Sequence, residues 1–200
     1  MFTGIVKGLC PITHIQILNN FATLTINLTS ELVQNLEIGA SVAINGVCLT
    51  AVTIDHNLVS FDLIDETLKC TNLKNLSVGN LVNIERSARF GDEIGGHLIS
   101  GHVVDTVTIQ KIDSIQDNLT MQLHCNKKWM KYLFPKGYVA LDGISLTIGS
   151  VDPNGSFSVH LIPETRRQTT LGFKKEGDLV NLEIDSKTQV YVDTIISSKS

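Results

Sequence analysis

Aromatic side chains are scarce in this sequence: one Trp, three Tyr and seven Phe make up 6% of its 200 residues. The core must therefore come mainly from Ile, Val and Leu, a composition that suits strands. Charge is sparse as well. Charged residues are 18%, against a usual share of about 25%, and 16 Lys and Arg face 20 Asp and Glu for a net charge of −4. Without a basic surplus, the chain lacks the electrostatic footprint of a nucleic-acid binder. With 42% apolar residues it reads as globular rather than disordered. The uncharged segment from Ile38 to Ile54 is interrupted by Ser41, Asn45, Gly46 and Thr50, and falls short of the ~20 apolar residues a membrane helix needs. The opening MFTGIVKGLC has no basic stretch leading into an apolar one, so no signal peptide is expected. Cys10, Cys48, Cys70 and Cys125 form neither a CxxC pair nor a zinc spacing, and are expected to be reduced thiols of a cytoplasmic protein.

The sequence does contain a repeat. ASVAINGVCLT (40–50) reads against GYVALDGISLT (137–147), and in the same frame Gly4 meets Gly101, Val6 meets Val103 and Ile12 meets Ile109. With one residue inserted, LIDETLKCTNL (63–73) meets LIPETRRQTTL (161–171) and VGNLVNIE (78–85) meets EGDLVNLE (176–183). The chain is a duplicated module of about 90 residues, joined near RFGDEIGGH (89–97). The expected units are 1–97, 98–190 and a tail or short helix over 191–200.

Within each module the apolar residues alternate, as in Val42 and Ile44, or Val59, Phe61 and Leu63. Such runs, punctuated by Asn45-Gly46 and Asp142-Gly143, predict short strands joined by tight turns. ELVQNL (31–36) and KKWMKYL (127–133) predict short helices, and ETLKCTNL (66–73) and ETRRQTTL (164–171) single helical turns. Six or so strands in so short a module predict a small closed Greek-key barrel, because closure removes sheet edges. The expected fold is all-β: two similar six-stranded barrels and a short C-terminal helix.

A duplicated barrel is expected to bind two similar ligands. Positions alike in both halves do shared work; positions that differ in polar character are candidates for unequal chemical roles. Thr50 and Thr147 are alike, and so are Glu66-Thr67 and Glu164-Thr165; the threonines read equally as strand residues packing a methyl group, and the Glu-Thr pairs as helix starts. The differing positions are His102 opposite Ile5, Cys48 opposite Ser145, Ser41 opposite Tyr138, Asp185 opposite Ser87 and Lys136 opposite Gly39. A lone His is more often structural than catalytic, but His102 lies in the Gly-rich GGHLISGHVV, where backbone can approach a ligand closely. His97 and His102 have no metal-ligand spacing, and no metal is expected.

MFTGIV, NGVCLT, FDLIDET, DEIGGHLISGH, KGYVALDGISLT and HLIPETRRQTTLG, in that order and spacing, resemble the riboflavin synthase family (alpha chain type) of lumazine-binding duplicated barrels, from Met1 to about Val192. The resemblance implies dismutation of two 6,7-dimethyl-8-ribityllumazine molecules. A four-carbon unit passes between them, giving riboflavin and 5-amino-6-(D-ribitylamino)uracil, with no cofactor. It also implies a homotrimer whose active site lies between the N-barrel of one subunit and the C-barrel of the next, and a possible association with lumazine synthase. Only DTIISSKS follows Val192, which leaves at most two turns for a trimerising helix.

The family's N-barrel pocket maps to Gly4, Ile5 and Val6; to Cys48, Leu49 and Thr50; and to Asp62, Leu63, Ile64, Asp65, Glu66 and Thr67. Its C-barrel pocket maps to Gly101, His102 and Val103; to Lys136; to Ser145, Leu146 and Thr147; and to Ile162, Pro163, Glu164, Thr165, Arg166 and Arg167. The resemblance assigns His102, Ser145 and Thr147 to proton transfer at the donor methyl, and Cys48, Ser41 and Asp185 to activation of the acceptor. Phe2 would cover a ring face, a role compatible with a simple core aromatic. The rival of another class is a non-catalytic lumazine- or flavin-binding protein on the same fold; such relatives typically lose one site, whereas here both modules keep their pocket motifs. A barrel module for nucleic acid would need basic, aromatic-lined grooves.

Overall fold

A computed structural model describes residues 1–18, 21–115 and 118–198. Its twelve strands form two closed antiparallel barrels. The first contains β1 (Gly8–Leu18), β2 (Phe21–Asn27), β3 (Ser41–Ile44), β4 (Val47–Asp55), β5 (Leu58–Ile64) and β6 (Leu81–Arg86), in the order β1-β2-β5-β4-β3-β6. The second contains β7 (Asp105–Ile115), β8 (Asn118–His124), β9 (Tyr138–Leu141), β10 (Ile144–Asp152), β11 (Ser156–Leu161) and β12 (Leu179–Ile184). The pairing of β2 with β5 and of β8 with β11 is the non-sequential step of a Greek key.

The tight turns fall where the sequence places them. Asn45 and Gly46 have φ of 45° and 78°, and Asp142 and Gly143 have 46° and 80°, the left-handed values that two-residue hairpins require. Register shifts recur at matched places, after Ile12 and Ile109 and after Ala51 and Ile148; such bulges bend strands enough to close a narrow barrel. Each barrel is filled by its inward row. Leu24, Ile26, Ile44, Phe61 and Ile84 are fully buried in the first, and Ile109, Met121, Ile148, Phe157 and Val159 in the second.

The short helices α1 (Ser30–Val33) and α3 (Lys127–Met130), and α2 (Asp65–Cys70) and α4 (Pro163–Gln168), occupy equivalent places in the two halves. The last helix, α5, spans Ser186–Ser197 and starts well before the expected tail at 191. Asp185 is the cause: its carboxylate accepts from the Thr188 N–H at 3.0 Å and the Thr188 hydroxyl at 2.7 Å, an N-cap directly after β12. Tyr132 fastens α5 to the second barrel through a 2.6 Å hydrogen bond from its hydroxyl to Asp193.

Candidate active site

Each half opens with a short segment that leaves its own barrel and docks on the other. Phe2 and Ile99, equivalent in the repeat, pair with one another, N–H to carbonyl at 2.8 and 3.0 Å. Two residues on, the Gly4 carbonyl accepts the Ser145 N–H of β10, and the Gly101 carbonyl accepts the Cys48 N–H of β4, each at 2.9 Å. Both glycines have positive φ, 76° and 83°. A Cβ on Gly4 would fall 2.6 Å from the Ser145 Cβ, and one on Gly101 2.5 Å from the Cys48 Cβ, so only glycine allows this approach. Val6 packs on the core of the second barrel and Val103 on that of the first.

This docking exchanges the expected grouping. Gly4, Ile5 and Val6 join Ser145 rather than Cys48, and Gly101, His102 and Val103 join Cys48 rather than Ser145. The physical reason is the local two-fold relation between the halves. Residues equivalent in the repeat sit on opposite sides of the seam, so a segment touches the counterpart of its own barrel's loop. His102 therefore shares a cavity of about 260 Å³ with Cys48, Glu66, Thr67, Cys70 and Val103, and not with Thr147.

The strands of the same barrel carry further hydrogen-bonding groups outside the cavity lining. Ser41 and Thr50 are cross-strand neighbours on β3 and β4, and Asp62 on β5 accepts from the Thr23 hydroxyl at 2.8 Å. Ile64 stands 58% exposed at the start of α2, an apolar face bare to solvent beside polar groups, and Ile162 repeats it at 59% before α4. On the other barrel, Tyr138 and Thr147 are the corresponding strand pair. There the connector between the halves brings His97 onto Ser145, Nδ1 to Oγ 2.7 Å, and onto the Tyr138 ring, stacked with centroids 5.1 Å apart. Burial pushes the His97 pKa down, against the pull of the nearby Asp185 carboxylate.

Other expected residues stand elsewhere. Leu49, Leu63 and Leu146 point into the barrel cores, as alternation on a closed barrel requires. Phe2 is buried at the seam with Ala43, Ile99 and Ala140 instead of standing over a pocket. Asp185 is engaged as the cap of α5. Lys136 is exposed, with φ of 68° in the turn where its counterpart is Gly39 at 91°. Asp65 pairs with Lys69, and Glu164 with Arg167, whose hydrogen bond, with one from Gln168, lowers the Glu164 carboxyl pKa. Pro163, Arg166 and Arg167 line a separate open cleft with Phe173. A cleft of about 560 Å³ beside Asn72 and Lys174 holds none of the expected site residues. No group of three or more His, Cys, Asp or Glu side chains among the described residues is placed to hold a metal.

Glu85 and Glu183 were not among the expected site residues, although both lie in matched repeat segments. Glu183 accepts from the N–H and hydroxyl of Ser100, both 2.7 Å, and from the Gly101 N–H at 3.0 Å. Glu85 accepts from the N–H and hydroxyl of Thr3, 2.6 and 2.7 Å, and from the Gly4 N–H at 3.0 Å. Burial raises both carboxyl pKa values, opposed by these donors and by the charges of His102 and Lys7 respectively.

The Lumazine binding domain family matches twice, over residues 3–87 and 100–185, one copy per barrel. Two closed barrels bearing this domain, with polar rims at the docked segments, define a duplicated lumazine-binding protein. The chain is 50% identical over 196 residues to the riboflavin synthase of Escherichia coli (strain K12), covering 98% of this chain and 92% of that one. It is 51% identical over 197 residues to the riboflavin synthase of Buchnera aphidicola subsp. Schizaphis graminum (strain Sg), covering 97% and 93%. Among solved structures, LumP complexed with riboflavin superposes with a TM-score of 0.86 at 26% identity, covering 93% of this chain and 100% of that chain. The chain belongs to the riboflavin synthase family.

Proposed function

We propose that this chain converts two molecules of 6,7-dimethyl-8-ribityllumazine into riboflavin and 5-amino-6-(D-ribitylamino)uracil. The observation that carries the reading is the pair of equivalent sites, alike in frame and unlike in chemistry: Cys48 and His102 at one, Ser145 and His97 at the other. Two identical substrates need similar cradles, while donor and acceptor need different ones. The donor's C7 methyl loses a proton to give an anion delocalised over its own ring system. Bringing two rings face to face then supplies most of the acceleration, and proton transfer by side chains a further factor of ~10²–10⁴.

In this reading Ser41, Cys48 and Asp185 act at the acceptor, held in the Cys48 cavity, while His102 at the mouth of that cavity, with Ser145 and Thr147 of the facing site, moves the methyl proton of the donor stacked against it. Asp62, Glu66, Thr67 and Thr165 bind ribityl hydroxyls, and Ile64 and Ile162 contact ring faces. The Cys48 cavity, about 260 Å³, leaves His102 exposed to solvent, which supports an active site assembled between an N-barrel of one subunit and a C-barrel of another, in a homotrimer. The boundary between the two ligand-binding units falls near residue 97. The four cysteines are free thiols, which supports a cytoplasmic location; association with lumazine synthase belongs to the same reading.

A second reading rests on the likeness to LumP, which is bound to 6,7-dimethyl-8-(1'-D-ribityl) lumazine in another structure, at 27% identity and a TM-score of 0.83: a binder without turnover. One assay separates the two. Purified protein is mixed with 6,7-dimethyl-8-ribityllumazine without added cofactor, and riboflavin is followed by absorbance. Riboflavin at half the lumazine consumed, insensitive to a chelator, is the expected result; tight binding without conversion would establish the second reading.

A further inference from the structure

The two glutamates at the seam hold the same arrangement twice. In each, one carboxylate oxygen takes an N–H and a hydroxyl from one residue, and the other takes the N–H of the following glycine. That glycine's carbonyl then reaches across to the opposite barrel. Three donors converging on two oxygens call for an acceptor-only group, which among side chains means an ionised carboxylate. A neutral amide would turn one end into a donor facing a backbone N–H.

The wiring crosses the seam. Glu183 stands on β12 of the second barrel, yet through Gly101 it fixes the turn that carries His102 into the Cys48 cavity of the first. Glu85 stands on β6 of the first barrel, and through Gly4 it fixes the turn against Ser145 of the second. We propose that Glu183 and Glu85 are positioning residues for the two ligand sites, each latching the turn that completes the site on the opposite barrel. The effect on turnover rests on the riboflavin synthase reading; the latch itself does not.

The burial of both carboxylates, 6% exposed for Glu183 and 5% for Glu85, fits this role. Charged hydrogen bonds in a low-dielectric seam are short and directional, so the turn is held in one place without touching the ligand. Misplacing a reacting group by about 1 Å costs on the order of 10²-fold in rate, and such placement is what the latch protects.

The test uses the full chain with Glu183→Gln and Glu85→Gln, read by amide hydrogen exchange and by steady-state kinetics. Glu183→Gln is expected to speed exchange at Gly101 and Cys48 by roughly tenfold or more, leaving Gly4 and Ser145 unchanged, and Glu85→Gln to do the reverse. The kcat for riboflavin formation is expected to fall by roughly 10²-fold in each, out of proportion to any change in KM. Unchanged exchange at Gly101 in a folded Glu183→Gln protein overturns the latch. Faster exchange with kcat unchanged overturns the positioning role. If Glu183→Gln does not fold, Ser100→Ala, which removes one donor and keeps the carboxylate, carries the same two outcomes. A wild-type protein that makes no riboflavin would overturn the enzymatic reading while leaving the exchange test of the latch intact.

Discussion

His97 and Ser145 share a hydrogen bond of 2.7 Å, Nδ1 to Oγ, that has no equivalent at the Cys48 thiol among the described residues. The asymmetry comes from the connector between the two halves. Gly95, Gly96 and His97 lie outside the repeat, and a Cβ on Gly96 would fall 2.6 Å from the Ser145 Cβ. The connector thus runs along one site only, and gives that site a buried imidazole.

His97 should make stability depend on pH. Burial lowers its folded-state pKa below 6.5, so the native state binds fewer protons than the unfolded chain in that range. Its contribution is therefore present above about pH 6.5 and is lost as the pH falls through the lowered folded value. His97→Phe keeps a ring against Tyr138 and removes the titration. Calorimetric melting between about pH 7 and 5 should show a smaller acid-side drop in Tm for His97→Phe than for the wild type; parallel curves would exclude this account.

His102 is exposed at the mouth of the Cys48 cavity, where a proton can be exchanged with a ligand. His102→Gln is expected to reduce turnover by ~10²–10⁴-fold with lumazine affinity nearly unchanged, as read by fluorescence titration. If active sites span two chains, mixing His102→Gln with Ser145→Ala protein should restore part of the activity. Confirmed mixed assembly with no recovery would place both rings on one chain.

Asp185 has two candidate roles that substitution can separate. As the cap of α5 it is expected to contribute about 0.5–2 kcal/mol, lost in Asp185→Ala and largely regained in Asp185→Ser. As a charged group at the acceptor it should not be replaceable by serine. Turnover that stays low in Asp185→Ser while the melting temperature recovers would assign it to the chemistry; recovery of both would leave it a cap.

Much of the fold can be read in the chain itself. Asn45-Gly46 and Asp142-Gly143 announce left-handed turns because few other pairs tolerate them, and alternation in VSFDL or SFSVH fixes which side chains fill a barrel. The sites were legible as residue types but not as partnerships. A repeat frame sets Gly4 beside Cys48 because both belong to the first half; the two-fold docking sets it beside Ser145, and nothing in local sequence encodes that exchange. Glu85 and Glu183 carry no motif, because each takes two backbone N–H groups and one hydroxyl from a segment more than 80 residues away in the chain. The helix α5 begins early because Asp185, weighed for chemistry, also caps it.

The pairing of Phe2 with Ile99 has a corollary for assembly. A residue that meets its own repeat counterpart across a local axis is what a symmetric homodimer shows at its centre. In this chain the two counterparts lie in one polypeptide, and the tether keeps the second half at an effective concentration that a free subunit would not reach. Each half can therefore differ without losing its mate, as Cys48 and Ser145 do at matched positions. Because a two-fold contact closes on itself, any larger assembly of this chain must be built from other surfaces, such as the helix bearing Val190, Tyr191 and Ile195, all more than half exposed.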